Sequence, residues 1–272
     1  MYETFFGFRE KPFHVTADPA FLYPSRQHQE AMAHMVYGIR ERLGFIMITG
    51  EVGTGKTTLS KALVQRLEGP VRTALILNPV LSATQLLRAI LRDFGVDPTS
   101  IGNRGDLLVA IESFLLEQAK IQGNAVLIID EAQALSVSTL EQIRLLSNVE
   151  TAKSKLLQIV LIGQPELSHK LARDPRLRAL RQRIAVHYQV QPLSKEDVTE
   201  YIRHRLQAAG SYGITRFTEA AIADIARITR GFPRQINLLC DQALVAGFVR
   251  ESKEIDESMV QEASGVLATA AC

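Results

Sequence analysis

The chain has 272 residues, of which 46% are hydrophobic and 22% charged, so it is long enough for one or two domains with a buried core. Its formal net charge of +2 at pH 7 is small for this length and does not predict a nucleic-acid binder. The two cysteines, Cys240 and Cys272, are far apart and lack C-x-x-C spacing. The small number and wide spacing of the cysteines argue against a disulfide framework or a zinc site and indicate a reducing compartment.

The N-terminal sequence MYETFFGFREKPF has no basic stretch followed by a long apolar run, so it does not predict a signal peptide. The apolar runs AVLII and IVLI are far shorter than the roughly 20 residues that cross a bilayer. We therefore expect a cytoplasmic protein. Any attachment to a membrane would need a partner or a segment that is absent from this sequence.

Short apolar runs rich in β-branched residues alternate along the chain with longer segments of helical period. The runs are FIMIT (45–49), ALILN (74–78), VLIID (126–130), IVLIG (159–163) and IAVHYQV (184–190). Such continuous runs are typical of strands buried on both faces of a parallel sheet. The segments between them place apolar residues at i, i+3, i+4 and i+7, as helices that cover a sheet do. The pattern predicts a three-layer α/β domain with a five-stranded parallel sheet.

The pattern changes after residue 193. Ser194 and Asp197 have the spacing of a capping box at the start of a helix. Four helical patterns and no strand follow, which predicts a separate helical domain. We expect an N-terminal segment over 1–40, a core over 41–193 and a helical domain over 194–272.

The segment GEVGTGKT, Gly50–Thr57, fits the phosphate-binding pattern G-x-x-x-x-G-K-[ST] between a predicted strand and a predicted helix. Its glycines allow a backbone nest whose N–H groups face phosphate oxygens, and the next helix presents its N-terminus to the same charge. Lys56 would reach the β and γ phosphates of ATP, and the Thr57 hydroxyl would ligate Mg²⁺. The predicted nucleotide-binding residues are Gly50, Glu51, Val52, Gly53, Thr54, Gly55, Lys56, Thr57 and Thr58.

Polar side chains follow three of the predicted strands. Asp130 and Glu131 come directly after a buried run, where Asp130 would join the Mg²⁺ shell and Glu131 would polarise the attacking water. Asn78 and Gln164 close two other strands at the ligand-binding edge of a parallel sheet. Gln164 could orient the water or the γ-phosphate, and Asn78 could hold Glu131 away from the water. The alternative for each amide is turn capping before the proline that follows it.

Arginines at two places in the chain need an explanation. The segment RDPRLRALRQRIAVHY holds Arg178, Arg181 and Arg183, and three explanations stay open for it. It could be a solvated helix face, the source of an arginine offered to a neighbouring subunit, or a nucleic-acid contact. Arg234 starts a predicted helix, where a cation opposes the helix dipole, so a phosphate partner or plain surface exposure would explain it.

Together these motifs resemble the AAA+ branch of P-loop ATPases, which has a five-stranded αβα core followed by an all-α helical lid. The resemblance implies Walker A at Lys56 and Thr57 and Walker B at Asp130 and Glu131. It also implies sensor 1 at Gln164, where asparagine is commoner, sensor 2 at Arg234, a switch residue at Asn78 and an arginine finger. Arg183 is the expected finger, and Arg178 and Arg181 compete for that role.

The N-terminal elements FFGF-x-x-x-PF, DP-x-FLY and H-x-E-A are similar to the opening of the ExeA/GspA group, the general secretion pathway A proteins. The resemblance implies that Phe21, Tyr23 and His28 lie near the adenine, although a hydrophobic flap is an equal interpretation. It further implies type II secretion, where such proteins continue into a membrane span and help to assemble a secretin. Short relatives accompany pilus and exopolysaccharide systems.

We therefore expect an ATPase that forms a nucleotide-dependent ring and assembles or remodels a cell-envelope complex, held at the inner membrane by a partner or an absent segment. The alternative is a nucleotide-gated DNA-binding ATPase of the transposition-regulator or origin-recognition type. The near-neutral charge and the lack of an appended helix-turn-helix domain argue against that alternative. A nucleotide-dependent scaffold with little turnover is a third reading, which the Asp130–Glu131 pair disfavours.

Overall fold

The computed structural model describes residues 1–151, 154–211 and 213–270, and it resolves five principal strands. These are β1 (Phe45–Gly50), β2 (Val71–Ile76), β3 (Asn124–Ile129), β4 (Leu157–Gly163) and β5 (Ile184–Val190). They form one parallel sheet in the order β2-β3-β4-β1-β5. The five-stranded parallel sheet predicted from the apolar runs is therefore confirmed.

Helices account for most of the remaining chain. They are α1 (Glu3–Phe6), α2 (Arg26–Arg40), α3 (Lys56–Arg66), α4 (Ala83–Asp93), α5 (Arg104–Lys120), α6 (Val137–Leu146), α7 (Pro165–Arg173), α8 (Arg178–Arg183), α9 (Lys195–Ala208), α10 (Glu219–Thr229), α11 (Pro233–Val249) and α12 (Glu257–Ala270). Short 3₁₀ turns lie at Pro19–Phe21, Ala132–Ala134 and Pro175–Leu177. As expected, Ser194 caps α9, because its hydroxyl accepts the backbone N–H of Asp197 at 3.1 Å.

The chain divides into two compact units. The terminal unit comprises Met1–His28, Gly53–Thr58 and the described part of 191–272, and the sheet unit comprises Gln29–Val52 and Leu59–Val190. The domain boundaries expected at residues 40 and 193 stay predictions.

The sheet unit buries both faces of its central strands. Alternate residues of β1, β3 and β4 point to opposite faces, so Phe45 and Met47 join one apolar cluster while Ile46 and Ile48 join another. Helices α4 to α7 supply the first cluster, and residues of α2 and α3 supply the second. The edge strand β5 differs from the expectation of full burial, since its residues alternate between partly buried and exposed along most of its length. The expected three-layer αβα arrangement is confirmed.

The terminal unit has its own core, built from the helices after residue 194 and from the N-terminal aromatic residues. Phe6, Phe8, Phe13 and Phe21 are buried in it. The buried Arg205 of α9 holds the N-terminal segment by donating to the Pro12 carbonyl at 2.6 Å and to the His14 carbonyl at 2.9 Å. The FFGF-x-x-x-PF element thus contributes hydrophobic anchors to this core.

One feature of the terminal unit escapes sequence reasoning. Arg216–Phe217 (β6) and Glu254–Ile255 (β7) pair as a two-stranded parallel sheet, although the pattern after residue 194 predicts helices only. Two residues are too few to show the period of two that identifies a strand.

Candidate nucleotide site

The glycine-rich loop follows β1 and ends where α3 begins at Lys56. Gly53 and Gly55 adopt φ values of 85° and 89°, a left-handed conformation that residues with a Cβ rarely adopt. The side chain of Lys56 is only 5% exposed, and Thr54 is also buried. The loop therefore has the nest conformation and helix junction that phosphate binding requires.

Two neighbouring carbonyl groups of this loop accept hydrogen bonds within the terminal unit. The backbone N–H of Arg234, at the start of α11, donates to the Gly53 carbonyl at 3.2 Å. Nε2 of His28 lies 3.0 Å from the Thr54 carbonyl oxygen. At Gly53 an added Cβ would lie 2.9 Å from the Arg234 Cβ, so glycine is also needed for this close approach.

His28 is buried, and both of its ring nitrogens are engaged. Nδ1 lies 2.7 Å from the hydroxyl of Ser25, and that hydroxyl also accepts the backbone N–H of His28 at 3.3 Å. Since a carbonyl oxygen can only accept, Nε2 carries the proton and Nδ1 accepts from Ser25. Burial lowers the pKa of His28 and favours this neutral form.

The aromatic residues expected near the adenine have partners in the terminal unit. The hydroxyl of Tyr23 donates to Asp197 at 3.3 Å, and its ring contacts those of Tyr201 and His204. Phe21 packs edge-on against His14. These contacts fit the alternative interpretation of a hydrophobic flap, and an adenine contact stays a prediction.

In the sheet unit, acidic and amide side chains meet at the carboxyl edge of the sheet. Asp130 follows β3, is 1% exposed, and accepts the backbone N–H of Glu131 through Oδ1 at 2.9 Å. Glu131 has a φ of 52°, which is unusual for a residue with a side chain and is common near functional sites. The strand order places β4 beside both β1 and β3, so Gln164 at the end of β4 emerges at the same edge.

The carboxylate of Glu131 is held by two amide groups. Its Oε2 accepts from Nε2 of Gln133 at 2.5 Å and from Nε2 of Gln164 at 3.2 Å. Gln133 also accepts the backbone N–H of Gln164 at 3.0 Å, which joins the three residues in one network. The side chain of Gln164 donates to Glu131 and does not cap α7.

Sequence reasoning missed Gln133. Its signal was present, because it stands two residues after Glu131 in the segment DEAQ, but a glutamine in a turn has many ordinary uses. Lys170 of α7 fastens the same turn by donating to the carbonyls of Gln133 and Leu135. Gly163 leaves the necessary space, since an added Cβ there would lie 2.8 Å from Oε1 of Gln133.

The contact of Asn78 differs from those of the two glutamines that hold Glu131. It is exposed, and its Oδ1 accepts the backbone N–H of Val80 at 3.2 Å, as in a turn before a following segment. The structure joins Glu131 to Gln133 and Gln164 and gives Asn78 this turn contact. The switch role of Asn78 stays a prediction.

The candidate arginine fingers differ in how they are held. Nη1 of Arg183 donates to Asn148 at 2.6 Å, to Ser147 at 3.0 Å and to the Arg144 carbonyl at 3.3 Å. Arg181 is exposed and makes one long contact of 3.5 Å to a carbonyl. Arg178 is exposed and makes no hydrogen bond or ion pair with residues of the described ranges 1–151, 154–211 and 213–270.

Arg234 presents an exposed guanidinium at the N-terminus of α11. Within the part of the chain that the structure describes, this side chain has no hydrogen-bond or ion-pair partner. A cation in this position lacks the stabilisation that a helix C-terminus would supply. The geometry therefore leaves Arg234 available for an anion, and its sensor role stays a prediction.

The loop of the terminal unit fits a phosphate group, because its left-handed glycines shape a backbone cradle. A hydroxyl such as that of Thr57 and a carboxylate such as that of Asp130 are hard oxygen ligands of the kind that Mg²⁺ prefers. Thr57 belongs to the terminal unit and Asp130 to the sheet unit, and their metal role stays a prediction. The described residues contain no cluster of three or more His, Cys, Asp or Glu side chains suited to another metal site.

The thiol of Cys240 is free and buried, and burial raises its pKa well above the ordinary value. Cys272 lies outside the described residues. None of the described helices combines the length and the apolar character needed to cross a membrane.

Comparison with known proteins agrees with this geometry. Residues 39–171 match the family model of the AAA domain. Over 255 residues the chain is 46% identical to general secretion pathway protein A of Aeromonas hydrophila, and the match covers 94% of this chain and 46% of that protein. The chain therefore spans about half the length of this relative.

Solved structures with the same fold include Cdc6p from Pyrobaculum aerophilum, with a TM-score of 0.71 and 18% identity over 97% of this chain and 70% of that one. The ORC2 protein of Aeropyrum pernix, solved in ADPNP–ADP complexes, has a TM-score of 0.69 and 17% identity over 94% of this chain and 71% of that one. At these identities the likeness shows the fold alone.

The fold and the matched domain place the chain in the AAA+ class of P-loop proteins. Within that class its sequence is similar to general secretion pathway protein A, as the N-terminal elements indicate.

Proposed function

We propose that this protein binds and hydrolyses ATP with Mg²⁺, and that turnover drives the assembly or remodelling of a cell-envelope complex. The observation that carries the hydrolysis proposal is the placement of Glu131. Its carboxylate stands at the carboxyl edge of the sheet, directly after the buried Asp130, in a left-handed conformation held by two amide groups. Other residues of the chain, such as Arg42 and Gln122, also adopt left-handed φ values, so the network of amide groups around the carboxylate is what distinguishes Glu131.

The binding step uses the loop and the start of α3. The N–H groups of the nest and of the helix N-terminus stabilise the phosphates, and Lys56 adds a positive charge. Thr57 and Asp130 would hold Mg²⁺, which neutralises charge on the phosphate oxygens when it is bound.

The hydrolytic step assigns Glu131 to the attacking water. A carboxylate that accepts two amide hydrogen bonds has fewer lone pairs free to accept a hydrogen bond from the attacking water. In the observed arrangement Gln133 and Gln164 therefore hold Glu131 in a resting state, and turnover requires at least one of these bonds to lengthen. Gln164 is suited to report the γ-phosphate to Glu131, because it contacts that carboxylate directly.

The envelope role rests on the relationship with general secretion pathway protein A, of which the chain covers 46%. We infer that subunits form a nucleotide-dependent ring and that an arginine from one subunit completes the site of the next. The envelope partner belongs to a secretion system of type II or to a related pilus or exopolysaccharide system.

The decisive experiment compares the Glu131→Gln and Lys56→Ala variants with wild type. We expect Lys56→Ala to abolish ATP binding and Glu131→Gln to keep ATP bound while stopping phosphate release. Glu166→Gln is a matched control, because it makes the same change at an exposed position in the first turn of α7. Normal turnover by Glu131→Gln would remove Glu131 from its role.

Three further measurements separate the remaining parts of the proposal. Phosphate release should rise more than in proportion to protein concentration if the site is shared between subunits. In cells that carry this gene, a Glu131→Gln copy should reduce the assembled envelope complex without reducing its subunits, and normal assembly would contradict the envelope role alone. Steeply salt-dependent DNA binding would favour the alternative function.

A further inference from the structure

Two consecutive peptide groups of the phosphate-binding loop are held by hydrogen bonds to their carbonyl oxygens. The carbonyl groups of Gly53 and Thr54 accept from the Arg234 backbone and from the His28 side chain, respectively. In a trans peptide the C=O of one residue and the N–H of the next point in opposite directions. The two bonds therefore set the directions of the Thr54 N–H and the Gly55 N–H, and both belong to the loop that forms the nest.

We propose that His28 is a positioning residue for phosphate binding, which acts by fixing the Thr54–Gly55 peptide group and makes no contact with the base. The inference rests on the proposed nucleotide site. The side chain of His28 is 5% exposed, and both ring nitrogens are already used by Ser25 and Thr54. A hydrogen bond from the imidazole to the base would have to replace one of these bonds.

Ser25 has a defined part in this arrangement. Its hydroxyl donates to Nδ1 of His28, which keeps the imidazole in the tautomer whose Nε2 carries a proton. Without that donor the other tautomer, which would direct a lone pair at the Thr54 carbonyl, becomes more accessible. Ser25 thus selects the form of His28 that can hold the loop.

The packing of the loop against the imidazole supports the same role. A Cβ at Gly55 would lie 3.0 Å from Nε2 of His28, so the backbone approaches the ring as closely as a glycine allows. Gly55 also has a φ of 89°, and its N–H belongs to the peptide that His28 holds. A side chain at Gly55 would separate the loop from its support.

The test compares two ligands, ATP and inorganic tripolyphosphate, which shares the phosphates but has no base. We expect His28→Phe to weaken both ligands by a similar factor of about ten or more, because a misdirected Gly55 N–H would lose its hydrogen bond to a charged phosphate oxygen. His28→Gln can still donate an amide N–H to the Thr54 carbonyl and should recover most of the affinity. Ser25→Ala should show a smaller loss of the same kind.

His204→Phe is the matched control, because it replaces another histidine of the terminal unit, one whose buried Nε2 has no hydrogen-bond partner among the described residues. Thermal unfolding of each variant checks that it is folded, and Ser25→Ala carries the test if His28→Phe does not fold. A loss with ATP but not with tripolyphosphate would mean that His28 contacts the base, and it would overturn the inference. Unchanged binding of both ligands by folded His28→Phe would overturn it too.

The same binding experiment gives a different result if the proposed nucleotide site itself is wrong. If wild type binds neither ligand, or if Lys56→Ala binds both as wild type does, the nucleotide site itself is wrong. If wild type binds both ligands and Lys56→Ala does not, the site stands and the His28 variants alone decide the inference.

Discussion

Arg183 was expected to act on a neighbouring subunit, yet its observed contacts predict a structural effect that can be measured first. The guanidinium lies beside the C-terminal end of α6, where Nη1 faces the Arg144 carbonyl and the side chains of Ser147 and Asn148. Arg178, five residues earlier, has no such contact with the described residues. The substitutions Arg183→Ala and Arg178→Ala should therefore differ in stability before any question of catalysis arises.

The size of the difference follows from these bonds. One nitrogen with two hydrogens cannot satisfy three acceptors fully, so we count about two effective bonds. A hydrogen bond to a charged group contributes about 1.5–3 kcal/mol when buried, and partial exposure reduces this. A cation at a helix C-terminus adds about 0.3–1 kcal/mol. We expect Arg183→Ala to lower the free energy of unfolding by about 2 kcal/mol and Arg178→Ala by less than about 0.5 kcal/mol.

Urea denaturation of each variant, at protein concentrations below self-association, measures this difference. Equal denaturation midpoints for Arg183→Ala and wild type would refute the energetic reasoning. ATP turnover then needs a mixing experiment, because a destabilised subunit also loses activity. Arg183→Ala retains its own Lys56, and Lys56→Ala retains its arginines, so mixing the two should restore turnover only if Arg183 acts between subunits. A mixture of Lys56→Ala with Arg178→Ala tests in the same way whether the exposed Arg178 acts between subunits.

Three other predictions concern the network, the backbone and pH. Gln133→Ala should raise basal ATP turnover about threefold at unchanged KM, since Glu131 loses one amide donor. A fall in turnover would show instead that Gln133 holds Glu131 in its working position. Gly231→Ala should lower the free energy of unfolding by about 3 kcal/mol, because φ is 77° and a Cβ would lie 2.0 Å from the Leu193 carbonyl oxygen. Gly213→Ala is the control, because φ is 83° there but a Cβ would meet no described residue beyond the chain neighbours within 4 Å. It should cost about 1 kcal/mol in the same denaturation assay, and equal losses for the two variants would contradict the predicted clash at Gly231. Desolvation lowers the pKa of four histidines below the ordinary 6.5, so the unfolded chain binds more protons and stability should fall as pH drops below about 6.5. The loss should be up to about 1.4 kcal/mol per pH unit for the buried His28 and smaller for the other three, whose greater exposure to solvent weakens the effect; a flat or rising profile from pH 7.5 to 5 would refute this. These residues are His14, His28, His187 and His204.

The sequence predicts the sheet well because its signals are local. Each strand is a short β-branched apolar run, and the glycine loop has fixed spacing that only a few backbone conformations satisfy. Four of the five predicted runs differ from the observed strands by one to three residues at one or both ends. The fifth, Ile184–Val190, agrees at both ends. Helix starts with a serine cap, such as that of α9, are also readable from neighbouring residues.

The contacts of the candidate site were less predictable, because they join residues far apart in the chain. Asn78 and Gln133 are both amides near strand ends, and no local pattern says which one holds Glu131. The choice depends on the turn after β3, which Lys170 fastens from α7, and on the space left by Gly163. His28 shows the same limit, since its distance from Thr54 along the chain hides the bond between them.

By itself, the sequence determined the class of protein, the parallel sheet and the phosphate-binding loop, since these depend on periodicity and on backbone freedom at particular glycines. Only the tertiary structure decided which side chains hold the loop and the Glu131 carboxylate, and which arginine is already bonded within its own subunit. A hydrogen bond requires two groups within about 3 Å of each other in the correct direction. That condition is set by the packing of whole elements, which residue types and spacing do not specify.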